Sequence, residues 1–216
     1  MIQHVHARAS AATCVDAVIV ATDDSRVAEA VDAFGGTAVM TSEHHPTGTD
    51  RLAEVAAHLH ADIIINVQGD EPLIDAAAID ACVNALAGRP DVVMSTARRP
   101  LQDDELDNPA VVKVVVDRDD VALYFSRSPI PHVRAGNAPV PRWAHLGLYG
   151  YRRDFLLTLA SLAPTPLERA ESLEQLRVLE HGYRIRCVNT VSTSIGVDTA
   201  EDLERVRGLF ATQRPL

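Results

Sequence analysis

Short apolar runs rich in β-branched residues alternate along this chain with segments whose apolar residues recur at helical spacing. Such runs, bounded by turn residues, are typical of buried strands, and apolar residues three or four apart indicate helices with one buried face. The predicted strands are residues 17–22, 37–41, 63–67, 92–96, 111–116, 121–125, 146–151 and 183–189. The predicted helices are residues 25–34, 51–59, 76–86, 166–181 and 199–210.

Strands regularly interleaved with helices predict an α/β fold, with a mostly parallel sheet and helices on both faces. The 216 residues are enough for a single domain. Residues 128–141 contain four prolines and a glycine, which predicts an extended loop or arm. In sheets of this type ligands bind beyond the carboxyl ends of the strands, so the polar residues that follow each strand are the candidate site.

Composition narrows the class of partner. Apolar residues make up 47% of the chain and the net charge is −10, which is typical of a globular protein and excludes a broad basic surface for nucleic acid. We expect no membrane span, no signal peptide and reduced, buried cysteines, and therefore a cytoplasmic location. All but one of the 20 basic residues are Arg, the exception being Lys113, and we interpret this as a compositional bias.

The run from Asn66 to Pro72 carries the most chemical information. A buried strand leads into Gln68, Gly69 allows the backbone to pass close to a ligand, and Asp70 presents a carboxylate. Oxygen ligands at a sheet edge suit Mg²⁺, which takes one or two carboxylates together with substrate phosphates. The alternative role for Asp70, capping the next helix, suits Asp75 better.

A second carboxylate, Asp198, directly precedes the last predicted helix. It could cap that helix or act as a metal ligand, and the local pattern favours neither role. Two aspartates at separate strand-to-helix junctions could hold one metal ion between them.

Two further groups of residues suit anionic ligands. Thr47, Gly48, Thr49 and Arg51 open a helix, where free N–H groups and a guanidinium make an anion or nucleotide site, although Thr49 could simply cap the helix.

The second group lies farther along the chain. Arg127 follows a strand, and alternation along the strand 146–151 and its preceding residue places His145 and Tyr149 on one face. These side chains suit an acidic, hydroxyl-rich substrate. Glu174 and Gln175 fall in the middle of the helix 166–181, where an exposed face is the simplest interpretation.

The chain resembles the 3-deoxy-manno-octulosonate cytidylyltransferase (CMP-Kdo synthetase) family. The stretches that carry the resemblance, in family order, are IVATDDSRVAEAV, TGTDRLAEV, INVQGDEP, NPAVVKVV, VALYFSRSPIP, HLGLYGYR, PLERAESLEQLRVLEHG and GVDTAEDLERVR. The resemblance implies a Rossmann-like nucleotidyltransferase fold of the nucleotide-diphospho-sugar transferase type and a homodimer. It also implies Mg²⁺-dependent transfer of CMP from CTP to the sugar acid Kdo for lipopolysaccharide biosynthesis.

The resemblance also implies roles for the candidate residues. Asp70 and Asp198 match the metal-binding aspartates, and residues 47–51 match a nucleotide-contacting loop with Arg51 near the triphosphate. The positions that match those holding the sugar acid are Gln68, Arg127, His145, Tyr149, Glu174 and Gln175.

One departure from the family concerns the start of the sequence. Members begin with a strand and a Pro-Ala-Arg-x-x-Ser-x-Arg-Leu-Pro-x-Lys-Pro loop that embraces the triphosphate, whereas Met1 aligns with the helix after that loop. We therefore expect little or no activity from this chain alone. We also expect a gap in the sheet beside the strand 63–67, or a partner segment that fills it. Either the printed sequence begins inside a normal enzyme, or the chain is a non-catalytic remnant that still binds sugar acid or nucleotide. A cytidylyltransferase for a sialic or amino-octulosonic acid is the remaining alternative.

Overall fold

In a computed structural model of the chain, the described residues are 1–191, 196, 197 and 199–212. The elements in chain order are α1 (Ile2–Ser10), β1 (Ile19–Thr22), α2 (Ser25–Asp32), β2 (Thr37–Met40), α3 (Gly48–Ala57), β3 (Ile63–Asn66), α4 (Ala76–Leu86), β4 (Met94–Pro100), a 3-10 turn (Asp103–Glu105), β5 (Lys113–Val116), β6 (Ala122–Ser126), β7 (Trp143–Arg152), α5 (Arg153–Ser161), α6 (Pro166–Glu171), α7 (Gln175–Glu180), β8 (Ile185–Asn189) and α8 (Ala200–Thr212). Each predicted strand is present with shifted ends, and α5 was not predicted.

The chain divides into two compact units. Unit 1 consists of Met1–Val55, Val67–Asp80 and Ser192–Leu216, and unit 2 consists of Ala56–Asn66 and Ala81–Val191. In unit 1, β1 and β2 form a parallel two-stranded sheet, with Ile19 opposite Thr37.

Unit 2 contains a mixed six-stranded sheet. Its order is β6-β5-β7-β4-β8, and β3 pairs with β7 outside this path. The pairs that include β7 are antiparallel, as is β5 with β6, and β4 runs parallel to β8. Consequently β3, β4, β5 and β8 point one way and β6 and β7 the other. The mixed α/β class is confirmed. Four of the six strands point the same way, but β4–β8 is the one parallel pair among the described pairs of this sheet.

The predicted gap beside the strand 63–67 is confirmed in the described part of the chain. β3 pairs with β7 along Ile63–Asn66, and none of the described residues forms a strand on its other edge. β1 likewise pairs with β2 alone among the described strands.

Side chains close the ends of several helices. The Asp24 carboxylate accepts the Arg26 amide at the start of α2, and Asp75 accepts the Ala77 amide at the start of α4, as predicted for Asp75. In unit 2 the Arg152 guanidinium donates to three backbone carbonyls, including that of Leu86 at the end of α4. These bonds satisfy polar groups that a helix end otherwise leaves unpaired.

The expectation of buried cysteines holds for two of three. Cys82 and Cys187 are buried, and burial raises the pKa of each thiol to about 12, so both stay protonated. Cys14 is exposed, because it lies in the turn region after α1 rather than in a strand. No helix formed by the described residues combines the length and the apolar character that crossing a membrane requires.

Candidate active site

The end of β3 leads into the segment predicted to contact ligands. Gln68 and Gly69 are exposed and Asp70 is partly exposed. A Cβ placed on Gly69 would meet only the Ile2 side chain, at 3.8 Å, and its φ lies outside the left-handed region. The fold itself therefore does not require glycine at position 69.

Asp70 is free of the capping role that Asp75 performs. Its carboxylate makes no hydrogen bond or ion pair with any described residue, whereas its backbone carbonyl accepts the Val197 amide at 2.9 Å. Asp198, the second predicted ligand, lies outside the described residues, so its proximity to the Asp70 carboxylate stays a prediction.

Thr199 and Asp202 form a cap at the start of α8. Thr199, not Asp198, directly precedes the first helical residue, and its hydroxyl accepts the Asp202 amide at 3.1 Å. The Asp202 carboxylate in turn accepts the Thr199 amide, which completes a reciprocal cap. Asp198 itself lies outside the described residues, so its role as a cap or as a metal ligand stays a prediction.

The predicted nucleotide loop begins α3. The Thr47 hydroxyl accepts the Asp50 amide at 3.2 Å and donates to its carboxylate at 2.8 Å, so Thr47 caps the helix. The alternative in which Thr49 is the cap is wrong, because Thr49 lies inside the first turn and is 5% exposed. Gly48 is exposed at the first helical position and a Cβ there would meet nothing within 4 Å.

Arg51 is held in a defined position within unit 1. Its guanidinium donates to the Asp23 carboxylate at 2.6 Å and to the Thr41 hydroxyl. The hydrogen bond from Arg51 lowers the pKa of Asp23. Asp23 and Thr41, which follow β1 and β2, thus orient Arg51, the residue predicted to bind the triphosphate.

In unit 2 a bulge shapes β7. Thr96 lies opposite Tyr149, but the next residue, Ala97, lies opposite Leu146. The rings of His145 and Tyr149 consequently have centroids 5.4 Å apart. Residues four apart in a regular strand are separated by about 13 Å. The sequence predicted only that His145 and Tyr149 share one face of a strand, and the bulge brings their rings close together.

The His145 ring is enclosed even though part of the residue remains exposed. The ring lies edge-on to Phe125 with centroids 5.0 Å apart, and its Nε2 lies 2.9 Å from the Thr96 hydroxyl. The loss of hydration lowers the pKa of His145 to about 3. The imidazole is therefore neutral near pH 7 and acts as a hydrogen-bonding group rather than as a cation.

The predicted helix 166–181 is broken, which changes the place of Glu174 and Gln175. Ser172 adopts the left-handed conformation with φ 53° and ends α6, and α7 starts at Gln175. The expectation of a mid-helix exposed face is wrong, since Gln175 is 3% exposed. Its Oε1 lies 3.5 Å from the Tyr149 hydroxyl, while its Nε2 is buried without a hydrogen-bond partner. A buried donor of this kind is costly unless a ligand accepts its hydrogen bond.

Arg127 follows β6, and it is anchored on backbone carbonyls. Its Nε donates to the Glu171 carbonyl at 2.8 Å and its Nη1 to the Pro109 carbonyl at 3.0 Å. Among the described residues no carboxylate lies within ion-pair distance of the guanidinium. The charge is thus available to an anionic ligand.

The predicted site residues fall into two groups. Unit 1 contains Thr47, Gly48, Thr49, Arg51, Gln68, Gly69 and Asp70. Unit 2 contains Arg127, His145, Tyr149, Glu174 and Gln175. Within unit 2, Lys113 of β5 lies opposite Ser126 of β6 and Ala144 of β7. Arg127 directly follows Ser126 and His145 directly follows Ala144, so the two residues lie at the same level of the sheet. Since they lie two strands apart, their backbones are separated by about 10 Å.

The donors near Asp70 fit a magnesium ion in kind. The Asp70 carboxylate has no hydrogen-bond or ion-pair partner among the described residues, and Mg²⁺ needs only one or two protein carboxylates beside phosphate oxygens. No group of three or more His, Cys, Asp or Glu residues gathers into a metal cluster in the described portion of the chain.

Sequence reasoning missed Asp23, Lys113 and Glu171 as residues that support the site. Asp23 ends a strand beside a second aspartate, which is a signal that could have been used. Lys113 was visible as the sole lysine but was assigned to composition, and nothing in the sequence marks Glu171.

Comparison with known proteins identifies the family of the chain. The family profile described as cytidylyltransferase matches residues 1–185. The 3-deoxy-manno-octulosonate cytidylyltransferase of Solibacter usitatus is 55% identical over 97% of this chain and 84% of its own length. The enzyme of that name from Syntrophotalea carbinolica is 54% identical over 95% of this chain and 86% of its own length.

Solved structures of nucleotidyltransferases share the fold of this chain. A CMP:2-keto-3-deoxy-manno-octonic acid synthetase complexed with CTP superposes with a TM-score of 0.93 at 45% identity, over 97% of this chain and 87% of that one. A putative glucose-1-phosphate thymidylyltransferase from Bacillus anthracis shares the fold, with a TM-score of 0.66 at 14% identity over 100% of this chain and 84% of that one. The chain belongs to the cytidylyltransferase family and, within it, to the 3-deoxy-manno-octulosonate cytidylyltransferases.

Proposed function

We propose that this chain transfers CMP from CTP to Kdo, giving CMP-Kdo and pyrophosphate, in the cytoplasmic stage of lipopolysaccharide biosynthesis. The observation that carries the proposal is the 55% identity to a curated Kdo cytidylyltransferase over 97% of the chain. In this reaction the anomeric oxygen of Kdo forms a bond to the α-phosphorus of CTP. The bond from that phosphorus to the bridging oxygen breaks, and pyrophosphate leaves with the electron pair.

The main task of the protein in such a reaction is to bring two anions together in line. Arg51, fixed by Asp23 and Thr41, would bind the triphosphate, and the exposed backbone at Gly69 would lie against the nucleotide. Arg127 would bind the carboxylate of Kdo in a forked contact.

The residues around the β7 bulge suit the hydroxyl groups of the sugar. The unpartnered Gln175 Nε2 would donate to a sugar oxygen, and Tyr149 and neutral His145 offer hydrogen bonds without adding charge. Gln68 and Glu174 would complete the sugar contacts.

Asp70 and Asp198 would hold Mg²⁺. The ion would offset the charge of the α-phosphate and lower the pKa of the attacking hydroxyl. Two observations support this assignment: the Asp70 carboxylate has no partner among the described residues, and Val197, the residue before Asp198, donates a 2.9 Å hydrogen bond to the Asp70 carbonyl. We further propose that the enzyme acts as a homodimer, which sedimentation at micromolar concentration would test.

A pyrophosphate-release assay with CTP, Kdo and Mg²⁺ tests the proposal. The sequence predicts that release by this chain alone is slow, and we expect that release to depend on both substrates and to fall at least a hundredfold further in the Asp70→Asn variant. Faster release with a sialic acid or an amino-octulosonic acid than with Kdo would instead favour a related cytidylyltransferase. Binding of Kdo or CTP without any release would favour the non-catalytic alternative.

A further inference from the structure

Lys113 is a fully buried side chain, and all three protons of its ammonium group are donated in hydrogen bonds. Its Nζ donates to the backbone carbonyls of Asn108 at 3.0 Å, Val111 at 2.8 Å and Arg127 at 2.5 Å. Across the described ranges, no carboxylate lies within ion-pair distance of it. An ammonium that binds three carbonyls and no acid serves to fix backbone rather than to balance charge.

The identity of this residue is informative because every other basic side chain in the chain is Arg. An ammonium presents three protons from one nitrogen in a tetrahedral arrangement, whereas a guanidinium presents its protons in a plane from three nitrogens. Three carbonyls that converge on one point therefore select Lys. The composition of the chain favours Arg, so the geometry of this position overrides that preference.

The three carbonyls belong to two segments that meet at Arg127. Asn108 and Val111 belong to the turn before β5, and the same turn supplies the Pro109 carbonyl that accepts Arg127 Nη1. Lys113 thus fixes both the backbone of Arg127 and the turn on which its guanidinium rests.

Glu171 holds the other side of Arg127. Its carboxylate accepts the Arg127 amide at 2.9 Å and the Ser126 hydroxyl at 2.6 Å, and its carbonyl accepts Arg127 Nε. Burial opposes ionisation of Glu171, but these hydrogen bonds outweigh it and lower the pKa of the carboxyl. Glu171 therefore holds the Arg127 amide with its carboxylate and the Arg127 Nε with its carbonyl. Its carboxylate does not pair with the guanidinium, whose charge stays available.

We propose that Lys113 is a positioning residue for Arg127, which it holds in place to receive the carboxylate of the sugar acid. The inference rests on the proposed function, since it takes Arg127 as the ligand of that carboxylate. Charge supports the geometry. Burial is the main cause that lowers the pKa of Lys113, and the Arg127 charge acts in the same direction while Asp107 and Glu171 oppose it. A bound carboxylate would relieve this repulsion between the two cations.

Calorimetric titration of the full chain with Kdo and, separately, with CTP tests the inference without requiring turnover. We expect Lys113→Met to raise the Kd of Kdo at least tenfold and to leave the Kd of CTP within twofold. Lys113→Arg keeps the charge but not the three-way geometry, so we expect it to weaken Kdo at least fivefold. Arg152→Met is the matched control, because it also removes three bonds to backbone carbonyls, and it should leave the Kd of Kdo within twofold.

The double variant separates positioning from general destabilisation. If Lys113 acts through Arg127, then Lys113→Met combined with Arg127→Ala binds Kdo no more weakly than Arg127→Ala alone. Losses that multiply in the double variant, or unchanged Kdo binding by Lys113→Met where Arg127→Ala is impaired, would overturn the inference. Failure of the wild-type chain to bind Kdo, or an unimpaired Arg127→Ala variant, would instead contradict the proposed function on which the inference rests.

The wild-type chain offers a second test that no folding defect can obscure. Because Lys113 is the sole lysine, peptide mass spectrometry can follow the slow reaction of its amine with an acylating reagent separately from the α-amine. Coupling between two sites is reciprocal, so a ligand on Arg127 must stabilise the bonds of Lys113. We expect saturating Kdo to slow acylation at least threefold more than saturating CTP does. Equal protection by the two ligands would overturn the inference.

Discussion

The backbone N–H of Val197 donates a 2.9 Å hydrogen bond to the backbone carbonyl of Asp70. This bond joins the segment that follows β3 to the segment that leads into α8, within unit 1. The bond therefore involves Asp70 itself and Val197, which directly precedes Asp198, the second aspartate that the sequence singled out. Their proposed cooperation in binding one ion rests on this link.

The cap of α8 gives a prediction about stability. We expect Thr199→Ala to lower the free energy of unfolding by about 1 kcal/mol, since it removes the hydroxyl that accepts the Asp202 amide. Asp198→Ala should change it by less than about 0.5 kcal/mol, as a residue without a capping role would. Urea unfolding measures both changes. A larger loss of unfolding free energy in Asp198→Ala would show that Asp198 caps the helix.

The open space beside Gly69 gives a prediction that separates folding from binding. Gly69→Ala should leave the free energy of unfolding unchanged or raise it by up to about 1 kcal/mol, because the new Cβ meets only Ile2 at ordinary contact distance. The same methyl group would occupy the space proposed for the nucleotide, so we expect the Kd of CTP to rise at least tenfold. Gly208→Ala, whose Cβ would meet nothing within 4 Å, is the matched control and should bind CTP normally. Unimpaired CTP binding by Gly69→Ala would remove Gly69 from the nucleotide site.

The low pKa of His145 predicts how stability depends on pH. Its pKa in the folded chain is about 3, below the ordinary value of 6.5, so the unfolded chain binds one more proton between these values. The contribution of His145 is therefore fully favourable above pH 6.5, and it is lost progressively as the pH falls toward 3.

Urea unfolding at several pH values from 4.5 to 6.5 measures this effect. We expect His145→Gln to reduce the proton uptake on unfolding by about one proton at the lower end of the range, relative to wild type. His60→Gln, which removes an exposed imidazole, should leave the slope unchanged. If the free energy of unfolding depended on pH with the same slope in the His145 variant and in wild type, the ring would take up its proton in the folded chain.

The parts of the site that depend on local sequence could be predicted. A β-branched run followed by Gln68, Gly69 and Asp70 identifies the carboxyl end of β3, because an apolar strand and its polar exit are contiguous in the chain. Asp75 could likewise be identified as the cap of α4, and comparison with the family pattern predicted that one edge of β3 pairs with no described strand.

The remaining features depend on contacts between distant segments. The bulge in β7 arises from its register with β4, which no pattern within residues 143–152 reveals. Ser172 in the left-handed conformation interrupts an otherwise continuous helical pattern and turns Gln175 inward. The role of Lys113 is fixed by carbonyls of Asn108, Val111 and Arg127, which only folding brings to one point.

The most direct test of the central claim is the affinity for Mn²⁺, used as a paramagnetic substitute for Mg²⁺, at saturating CTP. We predict that Asp70→Asn and Asp198→Asn each weaken Mn²⁺ binding by about tenfold or more. The double variant should be weakened much less than the product of the two single losses, since two ligands of one ion act together. Wild-type affinity in either single variant, or two losses that multiply as independent sites do, would contradict the account.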